Sequence, residues 1–126
     1  MRTECEKQMV LDYGYLENMK ELEELTIHDE YLMDISFVKQ MKALRRLDVS
    51  DCSIKDIVPL LHCIGLTDLN LSNNEIEDYA GIEYLPELDS LAIGGNPGDT
   101  LQVLRKRAAD VFITSDEDRA GVGYDL

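Results

Sequence analysis

The residues of this chain that most often hold structural zinc are three cysteines and two histidines. Cys5, Cys52 and Cys63 are odd in number and widely separated, and His28 precedes His62 by 34 residues. Zinc ligands usually come in closely spaced pairs, and the adjacent His62 and Cys63 do not have that spacing. The sequence therefore predicts reduced, non-catalytic thiols and no metal site.

The glycine-rich segment IGGNPGD at 93–99 is the next candidate for chemistry. A phosphate-binding loop needs a Lys followed by Ser or Thr, because these side chains hold the phosphates and their Mg²⁺. The segment contains neither, and the sequence holds no nucleophile motif. We therefore predict that the protein uses no cofactor and is not an enzyme.

The charge balance restricts the partners that the chain can take. It has 26 acidic and 12 basic residues, a formal net charge of -14. Nucleic acids and anionic membrane surfaces attract basic patches, whereas an acidic surface attracts basic proteins. We therefore expect a protein partner, basic in charge, and neither nucleic acid nor membrane. The N-terminal stretch MRTECEKQMVLDYGY lacks the apolar segment of a secretory signal, which predicts a cytoplasmic location.

Apolar residues recur along the chain with a period of 22. Leu22, Leu44, Leu66 and Leu88 form the first column of this repeat. A fixed period of this length indicates a solenoid, in which each repeat is one structural unit stacked on the next. The columns that follow are Leu25, Leu47, Leu69 and Leu91; Ile27, Val49, Leu71 and Ile93; and Glu30, Cys52, Asn74 and Asn96.

Each repeat has the pattern L-x-x-L-x-L-x-x-[N/C]-x-L. It stands as LEELTIHDEYL at 22–32, LRRLDVSDCSI at 44–54, LTDLNLSNNEI at 66–76 and LDSLAIGGNPG at 88–98. The chain thus resembles the leucine-rich repeat family, in the 22-residue class found in internalins and in a regulatory subunit of a serine/threonine phosphatase. Glu30 departs from the Asn or Cys of the pattern, and Gly98 departs from its last apolar residue.

The fold class that the resemblance implies is α/β: a right-handed leucine-rich repeat solenoid with a short parallel sheet on its concave face and helical or irregular turns on its convex side. The two core residues of each short strand point inward and stack on those of the next repeat. Four or five strands are expected.

Polar residues at fixed positions are expected to satisfy the backbone of the turns. An inward amide at Asn74 or Asn96 offers donors and an acceptor to the turn after each strand, with Cys52 as a weaker substitute. Glu30 is expected to face water. We expect the recurring aspartates to be the N-caps of short helical turns on the convex side. These are Asp34, Asp56 and Asp78.

The repeat domain is expected to span residues 1–114, with repeats starting near 22, 44, 66 and 88 and a partial unit before 22. Residues 3–5, TEC, are poor core residues, so the first strand is expected to be absent or frayed. Residues 99–110 predict a helix and 111–113, VFI, a closing strand. Residues 115–126 are expected to form an acidic tail.

The concave face is the candidate binding site, because residues beside the inward positions of a strand point to solvent. It is polar and acidic and has no aromatic anchor. Asp48 and Asp68 are expected to point to water and to contribute little to stability. The predicted partner-binding residues are Glu24, Thr26, His28, Arg46, Asp48, Ser50, Asp68, Asn70 and Ser72; the same columns continue with Ser90, Ala92 and Gly94, and an adjacent column holds Asp29, Asp51 and Asn73.

Three functions agree with these features. The first is a non-catalytic protein-protein interaction module that binds a basic partner through its concave face. The second is an inhibitor or immunity-type protein that neutralises a basic enzyme such as a nuclease. The third is a segment of a longer repeat protein. Self-association through an open N-terminal strand edge is a further expectation.

Overall fold

The computed structural model describes residues 2–6, 16, 18–98 and 112–114. The helix predicted at 99–110 and the tail predicted at 115–126 lie outside the described residues. The described part of the chain contains six strands: β1 (Arg2–Glu6), β2 (Glu24–His28), β3 (Arg46–Asp48), β4 (Asp68–Asn70), β5 (Ser90–Ala92) and β6 (Phe112–Thr114).

The strands form one parallel sheet in chain order, from β1 to β6. The pairing register advances by 22 residues from β2 to β5, so Leu25 pairs with Leu47, Leu47 with Leu69, and Leu69 with Leu91. Each coil of the chain therefore adds one strand directly beside the last. The predicted solenoid and its parallel sheet are confirmed.

The first and last strands differ from the expectation. Residues 3–5 are neither absent from the sheet nor frayed, since β1 pairs with β2 at five positions from Arg2 to Glu6. The closing strand β6 pairs with β5 and begins one residue later than predicted. Core composition is a poor guide at the end of a sheet, because backbone pairing with the neighbouring strand holds a terminal strand even where its side chains are polar. The described sheet therefore has six strands, which span about 24 Å at a spacing of about 4.8 Å.

The core is a single column of stacked apolar layers beneath the sheet. The residues of the first three repeat columns from Leu22 to Ile93 are at most 2% exposed. Ile35, Ile57 and Tyr79 form a further layer under the convex side and are likewise at most 2% exposed. Because each coil alone would leave its leucines in water, stacking of the coils supplies the burial that stabilises the fold.

Asn74 holds the turn after β4 and the turn of the coil before it. Its Oδ1 accepts hydrogen bonds from the N–H groups of Cys52 at 2.9 Å and Ile54 at 3.0 Å. Its Nδ2 donates to the carbonyls of Val49 at 3.0 Å and Leu71 at 2.9 Å. One side chain that is 6% exposed therefore satisfies backbone groups in two coils, as predicted.

Asn96 repeats this arrangement one coil later. Its Oδ1 accepts from the N–H groups of Asn74 and Ile76, both at 3.1 Å, and its Nδ2 donates to Leu71 O at 2.8 Å. Cys52 takes the same position with a weaker group: its thiol donates to Ile27 O at 3.1 Å, and its sulfur, a weak acceptor, also receives a hydrogen bond from the Asp29 backbone in the coil before it.

The turn at residues 29–33 is arranged differently from those of the later coils. Asp29, predicted on the outer surface, is fully buried, and Glu30 is exposed. The Asp29 carboxylate accepts from the N–H of Tyr31 at 3.0 Å, and its carbonyl accepts from the N–H of Leu32 at 2.9 Å. Asp29 thus accepts from two amides of its own turn, one through its carboxylate and one through its backbone carbonyl.

The backbone of this turn differs accordingly. In the next three coils the residue before the inward side chain has a positive φ: 59° at Asp51, 58° at Asn73 and 76° at Gly95. Asp29 occupies the equivalent position and does not have a positive φ. The left-handed conformation turns the following residue inward, and without it the aspartate itself points into the core.

Within residues 19–98 of the described chain, the convex side carries the short 3₁₀ helices Ser36–Gln40, Val58–His62 and Ile82–Tyr84. The prediction that aspartates are their N-caps is wrong in position, since the caps are Ile35, Ile57 and Gly81. Each aspartate instead accepts a hydrogen bond from the N–H two residues later, at Ser36 (2.8 Å), Val58 (2.9 Å) and Ala80 (2.9 Å), which is the geometry of an Asx turn.

The third helix starts two residues later than its repeat position because Gly81 adopts a left-handed φ of 98°. A Cβ atom at Gly81 would lie 2.6 Å from Leu61 Cδ1, so the backbone approaches this side chain closely.

No helix in the described part of the chain is long and apolar enough to cross a membrane.

Candidate functional site

The concave face forms an open groove with a volume of about 410 Å³. Core leucines of β2 to β5 make its floor, and the polar residues beside them make its walls. The wall residues include six of the nine predicted site residues, and Ser90 and Ala92 continue the same two rows. The lining residues are Glu24, Leu25, Thr26, Arg46, Leu47, Asp48, Asp68, Leu69, Asn70, Ser90, Leu91 and Ala92.

One wall of the groove is a row of paired charges. Arg46 lies between two acids, with Nη1 3.5 Å from Glu24 Oε1 and Nε 3.0 Å from Asp68 Oδ2. Asp68 Oδ1 accepts a hydrogen bond from the Ser90 hydroxyl at 3.0 Å. Since the register places these residues side by side on adjacent strands, the row links β2 to β5 and leaves a net negative charge.

His28, Ser50 and Asp48 form a second cluster at the end of β2 and β3. The Ser50 hydroxyl donates to Asp48 Oδ1 at 2.8 Å and lies 3.2 Å from His28 Nδ1. His28 Nε2 lies 3.8 Å from Asp48 Oδ2. In a serine hydrolase the imidazole stands between the serine and the carboxylate, so that it can accept the serine proton. Here the hydroxyl stands between the other two groups, which holds its proton on the carboxylate side.

Ser50 is the site residue whose placement departs most from the prediction. Its side chain is 6% exposed, whereas the strand pattern predicts an outward position. Its N–H and hydroxyl both donate to Asp48, which folds the side chain against the turn. Burial makes Ser50 a residue that orients Asp48 and His28. Ser72, in the same column, is half-buried.

Asp48 and Asp68 do not simply point to water. Their side chains are 32% and 41% exposed, and both are held by hydrogen bonds. Asp48 Oδ1 accepts from the Ser50 N–H at 3.0 Å, as Asn70 Oδ1 accepts from the Ser72 N–H at 3.0 Å one strand later. The expectation that both residues simply point to water is therefore wrong, whereas the expectation that they contribute little to stability stays a prediction.

The two described thiols, Cys52 and Cys63, are free and fully buried. Burial raises the pKa of Cys52 to about 11. Burial likewise raises the pKa of Cys63 to about 11, against the opposing effect of the nearby Lys42 charge. A neutral buried thiol is a poor nucleophile and a poor metal ligand. Among the described residues, no three His, Cys, Asp or Glu side chains are grouped so that they could hold a metal ion.

The sequence identified the two rows of the groove but not the contacts within them. The clamp of Glu24 and Asp68 on Arg46 joins residues 22 apart, so the repeat period was a signal that could have revealed it. The inward turn of Asp29 had only an indirect signal, the Glu that replaces Asn or Cys at position 30.

Comparisons with known proteins agree with this geometry. Residues 42–84 match the family model described as leucine rich repeats, two copies. No curated protein matches the sequence. Two solved structures from Listeria monocytogenes have a similar fold. Internalin C2 is 25% identical with a TM-score of 0.75, over 82% of this chain and 46% of its own length. The internalin inlF is 24% identical with a TM-score of 0.73, over 82% of this chain and 31% of its own length.

This chain therefore spans less than half the length of either internalin. The fold is one that typically serves as a non-catalytic protein-protein interaction module, since stacked repeats create an extended concave surface.

Proposed function

We propose that this chain, whose repeats are leucine-rich repeats and whose fold resembles that of the internalins, binds a basic protein through its concave groove. The observation that carries the proposal is the groove itself, open to solvent and walled by Glu24, Asp48 and Asp68. Arg46 is the single Lys or Arg among its lining residues, and two of these acids already flank it.

A groove of this kind favours an extended segment or a loop of a partner over a small molecule. It is shallow, and it lacks the enclosed apolar cavity that small ligands usually occupy. Its polar walls are already positioned by hydrogen bonds within the protein, so binding orders few side chains. A lysine or arginine of the partner would find carboxylates on two neighbouring strands.

The test uses two matched baits for affinity purification from the native source. Asp48→Asn combined with Asp68→Asn removes the groove charge but keeps amide oxygens that accept hydrogen bonds, as Asn70 does in the column of Asp48. Glu75→Gln combined with Glu77→Gln removes two exposed charges outside the groove. We expect the groove variant to lose a basic protein that the wild type and the control variant retain.

Association kinetics then measure how much the groove charges contribute to binding of the partner. We expect the groove variant to lower the association rate constant roughly tenfold at low salt, and high salt to remove most of the difference, because salt screens exposed charges. A complex that is insensitive to salt and unaffected by the groove variant would contradict the proposal.

The second candidate is an inhibitor of a basic enzyme, and the charge of the chain favours it. Residues 56–98 contain eight acids and no Lys or Arg. If the retained protein is a basic nuclease, nuclease activity should fall in proportion to the complex formed. A retained partner that keeps full activity when bound would support the interaction module instead.

A further inference from the structure

Two hydrogen-bond acceptors face each other where β2 and β3 end. His28 Nδ1 lies 3.3 Å from the backbone carbonyl oxygen of Ser50, and a carbonyl oxygen can only accept, so this contact assigns the proton of a neutral imidazole to Nδ1. Nε2 is then an acceptor, and it lies 3.8 Å from Asp48 Oδ2. When His28 is neutral, the lone pairs of Nε2 and Oδ2 therefore face each other with no proton between them.

The two carboxylate oxygens of Asp48 have different surroundings. Oδ1 accepts hydrogen bonds from the Ser50 N–H at 3.0 Å and from the Ser50 hydroxyl at 2.8 Å. Oδ2 accepts no hydrogen bond from the described residues, and its charged neighbour there is His28. The side chains of Asp48 and His28 are 32% and 41% exposed, so a ligand can reach both. One oxygen thus fixes the orientation of the carboxylate and leaves the other available.

Asp48 differs in this respect from the other acids of the groove. Arg46 contacts both Glu24 and Asp68, so a cation that approaches either acid also meets the guanidinium group. The neighbours of Asp48 across the sheet are Thr26 and Asn70, which carry no charge. In the described part of the chain, Asp48 forms no ion pair with a Lys or Arg side chain. Asp48 is therefore the groove acid best placed to receive a cation of the partner.

We propose that Asp48 and His28 form a lysine-binding subsite at the end of the groove, an inference that rests on the proposed function and names the side chain that the partner contributes. A nitrogen atom about 2.9 Å from each of two acceptors fits their separation of 3.8 Å. A lysine ammonium group has three donors, so it can donate to Asp48 Oδ2 and His28 Nε2 together.

The same geometry selects lysine over arginine. The planar fork of arginine binds a carboxylate best when both carboxylate oxygens accept from it. At Asp48 this arrangement is blocked, because Oδ1 already accepts two hydrogen bonds from Ser50. An ammonium group needs only Oδ2 and gains Nε2 as its second acceptor.

The experiment titrates the isotope-labelled protein with a short peptide of alternating Ser and Lys, and separately with its Ser-Arg counterpart, at about pH 8, where histidine side chains are generally neutral. The two peptides have equal charge, so a difference in Kd reports the geometry of the contact. We expect the lysine peptide to bind at least roughly fivefold more tightly. Its binding should also change the ¹⁵N signal of His28 Nε2, because this atom accepts a hydrogen bond. His62, exposed on the convex side, provides the reference signal.

Two matched variants locate the contact. Asp48→Asn and Asp51→Asn each remove one negative charge, and each installs the residue of the next coil, Asn70 or Asn73. The φ values of Asp51 and Asn73 are 59° and 58°, so asparagine suits that backbone. We expect Asp48→Asn to raise the Kd of the lysine peptide at least roughly tenfold and Asp51→Asn to raise it less than roughly threefold, because only Asp48 contacts the ammonium group.

Three results would overturn the lysine subsite. Equal affinity for the two peptides would show that the carboxylate does not discriminate between the two cations. Binding in the groove that persists in Asp48→Asn and leaves the His28 signal unchanged would place the cation elsewhere, and the groove would remain the binding surface. Absence of binding up to about 10 mM lysine peptide would also refute the subsite. In that case the affinity purification with the groove variant still decides separately whether the groove binds a basic protein.

Discussion

At the scale of residues, the inward amides decide how each turn is held. The Asn74 side chain makes hydrogen bonds to backbone groups in its own coil and in the coil before it. We expect Asn74→Ala to lower the free energy of unfolding by about 1–3 kcal/mol, because it leaves buried backbone groups without partners. Urea unfolding monitored by circular dichroism measures this change.

The control for this prediction is the neighbouring residue. Asn73 is exposed, and its φ of 58° makes alanine a poor control, because a left-handed backbone strains any residue with a Cβ. Asn73→Gly accepts that conformation, as Gly95 does one coil later, and should change stability much less. Equal losses for Asn74→Ala and Asn73→Gly would show that the inward amide is not the source of the stability.

Because two thiols are buried, we expect the free energy of unfolding to fall at alkaline pH. Each has its pKa raised to about 11 in the folded protein, while a thiol of the unfolded chain ionises near pH 8.5. Above about pH 8.5 the unfolded chain gains thiolates that the folded protein excludes. The contribution of the two neutral thiols to the free energy of unfolding is therefore fully present below about pH 8.5 and is lost as the pH rises toward 11.

Cys63→Ala tests this prediction. The variant should lose less of its urea midpoint between pH 8 and 11 than the wild type, because one buried thiol has been removed. Lysines and tyrosines also titrate in this pH range, but both proteins contain them. Their effect therefore cancels when the slopes of urea midpoint against pH are compared. If the urea midpoints of the two proteins change in parallel with pH, the raised pKa of Cys63 does not contribute to stability and the prediction is wrong.

At the scale of elements, the strands at the two ends depend on backbone pairing. β1 pairs along five residues with β2 although its sequence, RTECE, suits a core poorly. It is the first strand in the described sheet, so self-association through its edge stays a prediction, with an exposed strand edge as the physical basis.

Light scattering across protein concentration measures this association. We expect the mass to rise from that of one chain toward that of two chains. Cys5→Ser and a reducing agent serve as controls, because an intermolecular disulfide at Cys5 would also give a dimer. A mass that stays at one chain over the whole range would exclude pairing of the β1 edges.

The convex elements show how a repeat tolerates variation. The Asx turns at Asp34, Asp56 and Asp78 hold each convex segment at its start, whatever the exact start of the 3₁₀ helix that follows. Gly81 delays the third helix by two residues, yet the following core position, Ile82, remains fully buried. Side chains on the convex side can therefore change from coil to coil without loss of the buried layer beneath them.

At the scale of the whole molecule, one period organises both fold and surface. A step of 22 residues stacks identical positions on adjacent strands, so the sequence columns become continuous rows on the structure. Core columns become layers, and concave columns become the walls of the groove. The cytoplasmic location and the extent of the repeat domain to residue 114 stay predictions.

The sequence by itself determined the solenoid, the parallel pairing and its register, and the identity of the inward leucines and asparagines. It could do so because a period that holds without insertions fixes which residues become neighbours. The outward columns of the groove followed from the alternation of a strand.

Only the tertiary structure decided which of these outward side chains are free for a partner. The Ser50 hydroxyl is withdrawn against Asp48, the buried Asp29 accepts from the Tyr31 N–H of its own turn, and Arg46 lies between Glu24 and Asp68. The first two placements depend on how a side chain folds back onto its own turn, two residues away, and the third depends on the neighbouring coils. The alternation of a strand states which side a residue faces but not which hydrogen bond its side chain makes, so these placements follow only from the folded backbone.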